Sequence, residues 1–330
     1  MPADSEDPRE NAFHPRRSES VVGHQRAIDQ FASAIAADRP HHAWLVTGKQ
    51  GIGKATLAYW LARFVLNAGR SENLGGSQAS RLVEARSHPD LFVLQRQMGE
   101  GKTAQLKAEI SVENAREMSA FFSRTAAMAP WRIAIIDTVD DLNTESANAL
   151  LKLVEEPPSR CIILLVCNQP GRILRTIRSR CMHVALDQLS SDEMSRVFLQ
   201  LRFRNEVPSI SDVALRVSHG SPGRALALVN SDVAKALDVL GTVDLRRPEG
   251  RLSVVKAFTG RGPNADDFAL FVDLLLEWLA DVAKSNTNTK LAAAYGDIQG
   301  LARRAEAYNL DRKVAILESL SLIDHALKAA

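Results

Sequence analysis

Lys54 closes a run in which glycines stand at positions 48, 51 and 53: Gly48-Lys49-Gln50-Gly51-Ile52-Gly53-Lys54-Ala55-Thr56. Glycines at this spacing let backbone amides curl around a phosphate, and a lysine at the start of the following helix reaches its outer oxygens. One atom of the usual set is missing. The hydroxyl that directly follows the lysine and holds Mg²⁺ is replaced by Ala55. Thr56 comes one residue late and points about 100° further round the helix. A carboxylate suited to the same chemistry is Asp137, which ends the apolar run Trp131-Arg132-Ile133-Ala134-Ile135-Ile136 and can orient Mg²⁺ or its water. The position after it, where an ATPase of this kind keeps a glutamate to activate water, is Thr138. Asn168 follows the apolar run Ile162 to Val166; it hydrogen-bonds a γ-phosphate or water, or else it serves a turn.

These groups need a scaffold, and the hydrophobic pattern describes one. Ala43 to Thr47 is a short apolar run before the glycine loop, and Leu57, Leu61, Phe64 and Val65 recur after it at helical spacing. Upstream, Val21-Val22-Gly23-His24 leads into a helix with Ala27, Ile28, Phe31, Ala34 and Ile35, stopped at Arg39-Pro40. Leu91 to Leu94 reads as a second strand between two polar loops, 67–90 and 95–108, and a helix opens near Ser111. Leu150, Leu151 and Val154 form a helix face that ends at Pro157-Pro158, and Val184 to Leu186 can form a fifth strand. Four or five apolar strands alternating with helices predict an α/β fold, a doubly wound parallel sheet, as far as about Leu189. The remainder is helical. Ser190 or Ser191 caps one helix, and Ser221-Pro222-Gly223-Arg224 opens another with Arg224 in its first turn. After the linker at 245–250, the segment from Phe268 to Ala283 is apolar nearly all round, and Ile316, Leu320, Ile323 and Leu327 form a stripe; core packing or a subunit contact explains both.

Composition sets bounds on function. The chain has 330 residues, 45% hydrophobic and 24% charged, enough for two or three domains with real cores. A net charge of +2 argues against wholesale wrapping around nucleic acid and leaves room for a local basic face. Cys161, Cys167 and Cys181 suggest neither a disulfide framework nor a CxxC metal pair. The run from Cys161 to Cys167 is far shorter than the roughly 20 residues that span a bilayer. Residues 1–20 are polar, without the apolar core of a secretory signal, and read as a disordered leader of a cytoplasmic protein.

Two blocks carry a resemblance: Asn148-Ala149-Leu150-Leu151-Lys152 through Glu155-Glu156-Pro157-Pro158, and Ile177-Arg178-Ser179-Arg180-Cys181. At this separation after Asp137, they make the chain similar to the bacterial clamp-loader subunits of the AAA+ class, and among them to the delta-prime subfamily of DNA polymerase III. Residues 21–227 match well; the last hundred or so match only as a helical domain in the expected place. The resemblance implies an AAA+ domain at 21–189, a helical lid at 190–243 and a C-terminal helical oligomerisation domain, the collar, at 244–330. It implies that Arg180 projects into the ATP site of a neighbouring subunit as a trans arginine finger. It also implies nucleotide contacts from Gly48, Gly51, Gly53, Lys54, Ala55, Thr56, Asp137, Asn168 and Arg224, at an ATP/ADP–Mg²⁺ site that Ala55 and Thr138 leave weak or vestigial. Family members commonly carry a four-cysteine zinc module after the phosphate-loop helix; 67–90 contains no cysteine, so no zinc is expected. The implied partners are other clamp-loader subunits in a hetero-oligomer and, through that complex, the sliding clamp and primed DNA. The implied role is clamp loading in DNA replication, within a DNA-directed DNA polymerase complex and with little or no ATPase activity of the chain's own. The alternatives are an ATP-hydrolysing motor subunit of the same complex and, less well matched, a P-loop small-molecule kinase.

Overall fold

The computed structural model describes residues 13–71, 74–99, 106–203, 210, 212–229, 231–258, 262–286 and 289–328. Five apolar runs form parallel strands: β1 (Ala43–Thr47), β2 (Leu91–Gln95), β3 (Arg132–Asp137), β4 (Cys161–Cys167) and β5 (Met182–Ala185). Their order across the sheet is β2-β3-β4-β1-β5. Central β4 is buried along its whole length, as a strand covered on both faces must be.

Alternation along the strands assigns side chains to two helical layers. Ile162, Leu164 and Val166 share a core with α1 (Gln25–Ala36), α2 (Lys54–Leu66) and α3 (Gln78–Glu84). Ile163, Leu165 and Cys167 face the other way, against α4 (Val112–Phe122), α5 (Thr144–Glu155) and α6 (Arg175–Arg178). The expected doubly wound α/β sheet is thus a three-layer sandwich. Register sets Thr47 beside Cys167 and Asp137 beside Val166, so the ends of β1, β3 and β4 meet along one edge. There the connections diverge to either side of the sheet, which opens a crevice for a ligand. Met182 pairs with Trp44 and Ala185 with Thr47, so whatever precedes β5 lies at the opposite edge.

The leader differs from its expected disorder where it is described. Residues 1–12 lie outside the described residues, but 13–20 are held on α2 and α3. Arg63, 1% exposed in the middle of α2, donates to the carbonyl of Ser18 at 2.8 Å and to that of Arg16. Arg16 in turn donates to the Glu84 carbonyl at 2.9 Å, and the His14 ring meets Tyr59 edge-on. Composition hides this because the holding group is a buried guanidinium 45 residues away. The polar loop 67–90 contains α3, capped by Ser77, whose Oγ accepts from the Ser80 amide at 3.1 Å. Residues 72–73 of that loop and 100–105 of the next lie outside the described residues.

The chain divides into two compact units, one of residues 1–207 with 220–223, the other of 208–219 with 224–330. The first ends with α7 (Ser191–Phe203), which opens on a capping box: Ser190 and Glu193 exchange bonds, Ser190 N to Glu193 Oε2 at 2.8 Å and Glu193 N to Ser190 Oγ at 3.3 Å. The second contains α8 (Asp212–Val217), α9 (Pro222–Val229) from Arg224 onward, α10 (Val233–Leu240), α11 (Pro248–Lys256), α12 (Ala265–Asn286), α13 (Thr289–Ala307) and α14 (Arg312–Lys328). One hydrophobic core runs through it from Ala214 to Ala326, with Val243 and Leu245 both packed in, so the residues flanking the expected lid–collar boundary share that core. Phe271, Leu275 and Leu279 are fully buried, whereas Trp278 is 37% exposed and gives α12 an outer face. In the α14 stripe, Ile316, Leu320 and Ile323 are buried and Leu327 is exposed. Among the described residues no helix is long and apolar enough to cross a membrane.

Candidate functional site

The glycine loop joins β1 to α2, and its conformation explains its composition. Gly53, at the N-cap of α2, has φ +105°, and Gly51 has φ +75°, values that side-chain-bearing residues rarely adopt. Four successive carbonyls of the loop are each tied down. Lys49 O accepts from Lys54 Nζ at 2.7 Å, and Gln50 O from Ser221 Oγ at 3.0 Å. Gly51 O accepts from the Gly223 amide at 2.9 Å, and the His24 ring meets Ile52 O at 3.2 Å. In a trans peptide the N–H points opposite its carbonyl, so pinning the carbonyls also sets the direction of the amides that follow. The turn at 220–223 presses close: a Cβ on Gly223 would stand 2.8 Å from Gly51 Cα. Ser221 therefore braces the loop, a contact 171 residues long in sequence that its reading as a helix cap did not foresee.

Lys54 is 4% exposed, and its ammonium donates to Gly48 O at 2.8 Å as well as to Lys49 O. The amine expected to reach phosphate is thus folded onto its own loop. Across the crevice, Asp137 ends β3, and Asn168 directly follows β4. Their arrangement depends on a residue missed from sequence. Asp140, in the 3₁₀ turn Val139–Asp141, accepts from the Asn168 amide at 2.6 Å and the Gln169 amide at 2.8 Å. The only signal was a cluster of acids after a strand, which reads equally well as a solvated turn. Beneath, Cys167 is buried; burial first, then the nearby Asp140 carboxylate, push its thiol up to about 12.

The donors here suit a phosphate better than a metal. Orphan amides at the start of α2, a lysine ammonium and the pinned glycine loop form an anion cradle. For Mg²⁺ the loop presents the methyl of Ala55, half-buried against the α1 side core, and no group of three or more metal-binding side chains exists among the described residues. Gly48, Gly51, Gly53, Lys54, Ala55, Thr56, Asp137 and Asn168 therefore gather at one edge of the sheet.

Arg180 is not among them. It lies between α6 and β5, at the opposite edge, separated from the loop by the length of β5. Its side chain is 42% exposed; Nη2 meets Glu155 Oε1 at 3.2 Å and Nη1 donates to Thr176 O at 3.1 Å. Glu155 and Arg180 belong to the two separate sequence blocks, which this ion pair joins. Arg224 is committed within the second unit, where Nη1 meets Glu277 Oε2 at 2.6 Å with both side chains largely buried. Asp273, one turn earlier on α12, is pushed above the ordinary carboxylate range by burial and by Glu277, against the opposing pull of Arg224.

Comparison with known proteins places this geometry. The family model described as "DNA polymerase III, delta subunit" matches residues 23–190. The DNA polymerase III subunit delta' of Pseudomonas aeruginosa is 30% identical over 243 residues, 73% of this chain and 70% of the relative. That of Escherichia coli is 31% identical over 222 residues, 64% of this chain and 62% of the relative. Among solved structures, a DNA polymerase III gamma subunit-related protein from Thermotoga maritima aligns over 91% of this chain and 99% of its own, at 14% identity and a TM-score of 0.47. The glycine loop, the strand-end Asp137 and Asn168 and the block carrying Arg180 all fall within the matched segment, and the chain belongs to the DNA polymerase III delta-prime family of AAA+ clamp-loader subunits.

Proposed function

We propose that this chain is a clamp-loader subunit that assists ATP hydrolysis in a neighbouring subunit and carries out little or none itself. The observation that supports this most directly is the position of Arg180. It stands exposed at the edge of the sheet opposite its own glycine loop, so the phosphate it serves belongs to another chain. Arginine suits that task because it is always charged and offers a planar fork of donors to phosphate oxygens. Placed against a γ-phosphate, it stabilises the charge that spreads over the transferring group.

The chain's own site supports the complementary half of the reading. Lys54 and the amides at the start of α2 bind the phosphates of ATP or ADP, while Ala55 gives Mg²⁺ no hydroxyl and Thr138 gives water no base. In this role the subunit works in the cytoplasm within a hetero-oligomer, whose ATP cycle opens the sliding clamp and places it on primed DNA. The C-terminal helices supply the contact that holds the oligomer together.

The test is the ATPase of the reconstituted complex carrying Arg180→Ala. Hydrolysis at the adjacent site falls by roughly 10³-fold or more, judging by arginines donated in trans elsewhere, while the complex assembles normally. Unchanged turnover in an intact complex refutes the reading.

A further inference from the structure

We infer that Glu155 is a positioning residue for Arg180, holding its guanidinium ready for the neighbour's γ-phosphate. The inference rests on the trans role of Arg180 and names a residue which that role does not by itself require. Glu155 is the last residue of α5, followed directly by Glu156. A carboxylate at a helix C-terminus faces the negative end of the helix dipole and is locally unfavourable. Such a local conflict points to a use elsewhere, and the structure supplies one in the 3.2 Å bond from Arg180 Nη2 to Glu155 Oε1.

The surroundings explain why Arg180 needs it. From Pro157 to Leu186 the chain has no acidic residue, yet it carries Arg160, Arg172, Arg175, Arg178 and Arg180. Arg172, Arg175 and Arg178 are exposed. Like charges on the same short segment disfavour a settled position for Arg180, and Glu155 counters them at one defined point. Thr176 O, at 3.1 Å from Nη1, fixes the other arm of the fork. Held at both arms, the guanidinium keeps its remaining N–H donors in one plane and reaches a phosphate with little rotamer freedom left to lose.

Magnitude separates this role from the opposite one, in which Glu155 sequesters the arginine. An exposed ion pair amounts to about fivefold at most, too little to withhold Arg180 from a γ-phosphate whose effect is roughly 10³–10⁵-fold. Restricting a long, flexible side chain is within reach of the same small energy.

The experiment uses the reconstituted complex and four forms of this subunit: wild type, Glu155→Gln, Arg180→Ala and the double variant. Glu155→Gln lowers kcat by about two- to fivefold, within what one exposed ion pair supplies, and leaves KM for ATP and assembly unchanged. Glu155→Asp, which keeps the charge, recovers part of the loss. In the Arg180→Ala background, Glu155→Gln has no further effect. A rise in turnover, no change, or an equal loss in both backgrounds overturns the inference. If Arg180→Ala alone is silent, the trans role fails and the inference with it; if Arg180→Ala slows hydrolysis and Glu155→Gln does not, only the positioning role fails.

Discussion

Asp140 holds the backbone amide of Asn168 at 2.6 Å, fastening the turn after β3 to the end of β4. The same carboxylate takes the Gln169 amide at 2.8 Å. The two strand ends that carry Asp137 and Asn168 are therefore fastened together by one side chain. Asp140→Ala leaves both amides without this acceptor, and losing such charge-assisted bonds costs about 1–3 kcal/mol. The expected result is a lower urea midpoint with unchanged slope, and weaker nucleotide binding by the lone chain. Stability equal to wild type would remove Asp140 from this role.

Gly223 and Gly51 set a second prediction. Their near contact, with the 2.9 Å bond from the Gly223 amide to Gly51 O, leaves no room for a side chain at 223. Because the obstacle is backbone, Gly223→Ala must displace the turn or the loop, at a cost of about 1–3 kcal/mol, as for other overpacked positions. Thermal unfolding and equilibrium phosphate or ATP binding both report it. Ser221→Ala removes only the hydroxyl bond to Gln50 O and produces the milder loss, about 1 kcal/mol.

The glycine loop tests the division between binding and hydrolysis. Ala55→Thr places a hydroxyl where Mg²⁺ takes one in related loops. ATP binding by the lone chain, measured calorimetrically with and without Mg²⁺, then gains a Mg²⁺ dependence that the wild type lacks. Turnover stays at background, because Thr138 still provides no base. Hydrolysis by the wild-type chain alone at motor-like rates, abolished by Lys54→Ala, would instead assign it as a motor subunit.

Contacts local in sequence were legible, and those that close over long separations were not. Gly51 and Gly53 announce their positive φ because few other residues accept it, and β4 announces itself by seven consecutive buried apolar residues. The helix start at Ser190 or Ser191 reads from local spacing, and the folded chain gives the cap to Ser190, with Glu193 bonding back. Arg63 sits in an apolar helix and says nothing of the leader it holds, and Arg224 carries no sign of its partner Glu277, 53 residues on. Arg180 was found through its motif, whereas its distance from the loop followed only from the pairing of β5 with β1. Asp140 was hidden for another reason: an acid after a strand is ordinary, and only the folded chain shows which amides it takes.

Asp90 is the place where pH reaches the fold. The residue is 1% exposed, with Oδ1 accepting from the Ala127 amide at 2.6 Å and Oδ2 from those of Met128 and Ala129 at 2.7 and 2.8 Å. Burial alone would raise its pKa, but the three amides, aided by His88, outweigh burial and hold it below the ordinary carboxylate value. A group whose folded-state pKa is depressed stabilises the fold above its unfolded value, near 4, and loses that contribution as pH falls through the folded value. Wild-type stability should therefore drop with a measurable slope below about pH 4. Asp90→Asn is no isosteric rescue, because its NH₂ must face at least one of the three N–H donors. It lowers stability at neutral pH by about 1–3 kcal/mol and flattens the acid slope relative to wild type. Urea unfolding of both forms from pH 3 to pH 7 separates the two effects, and parallel slopes would show that Asp90 does not carry the acid sensitivity.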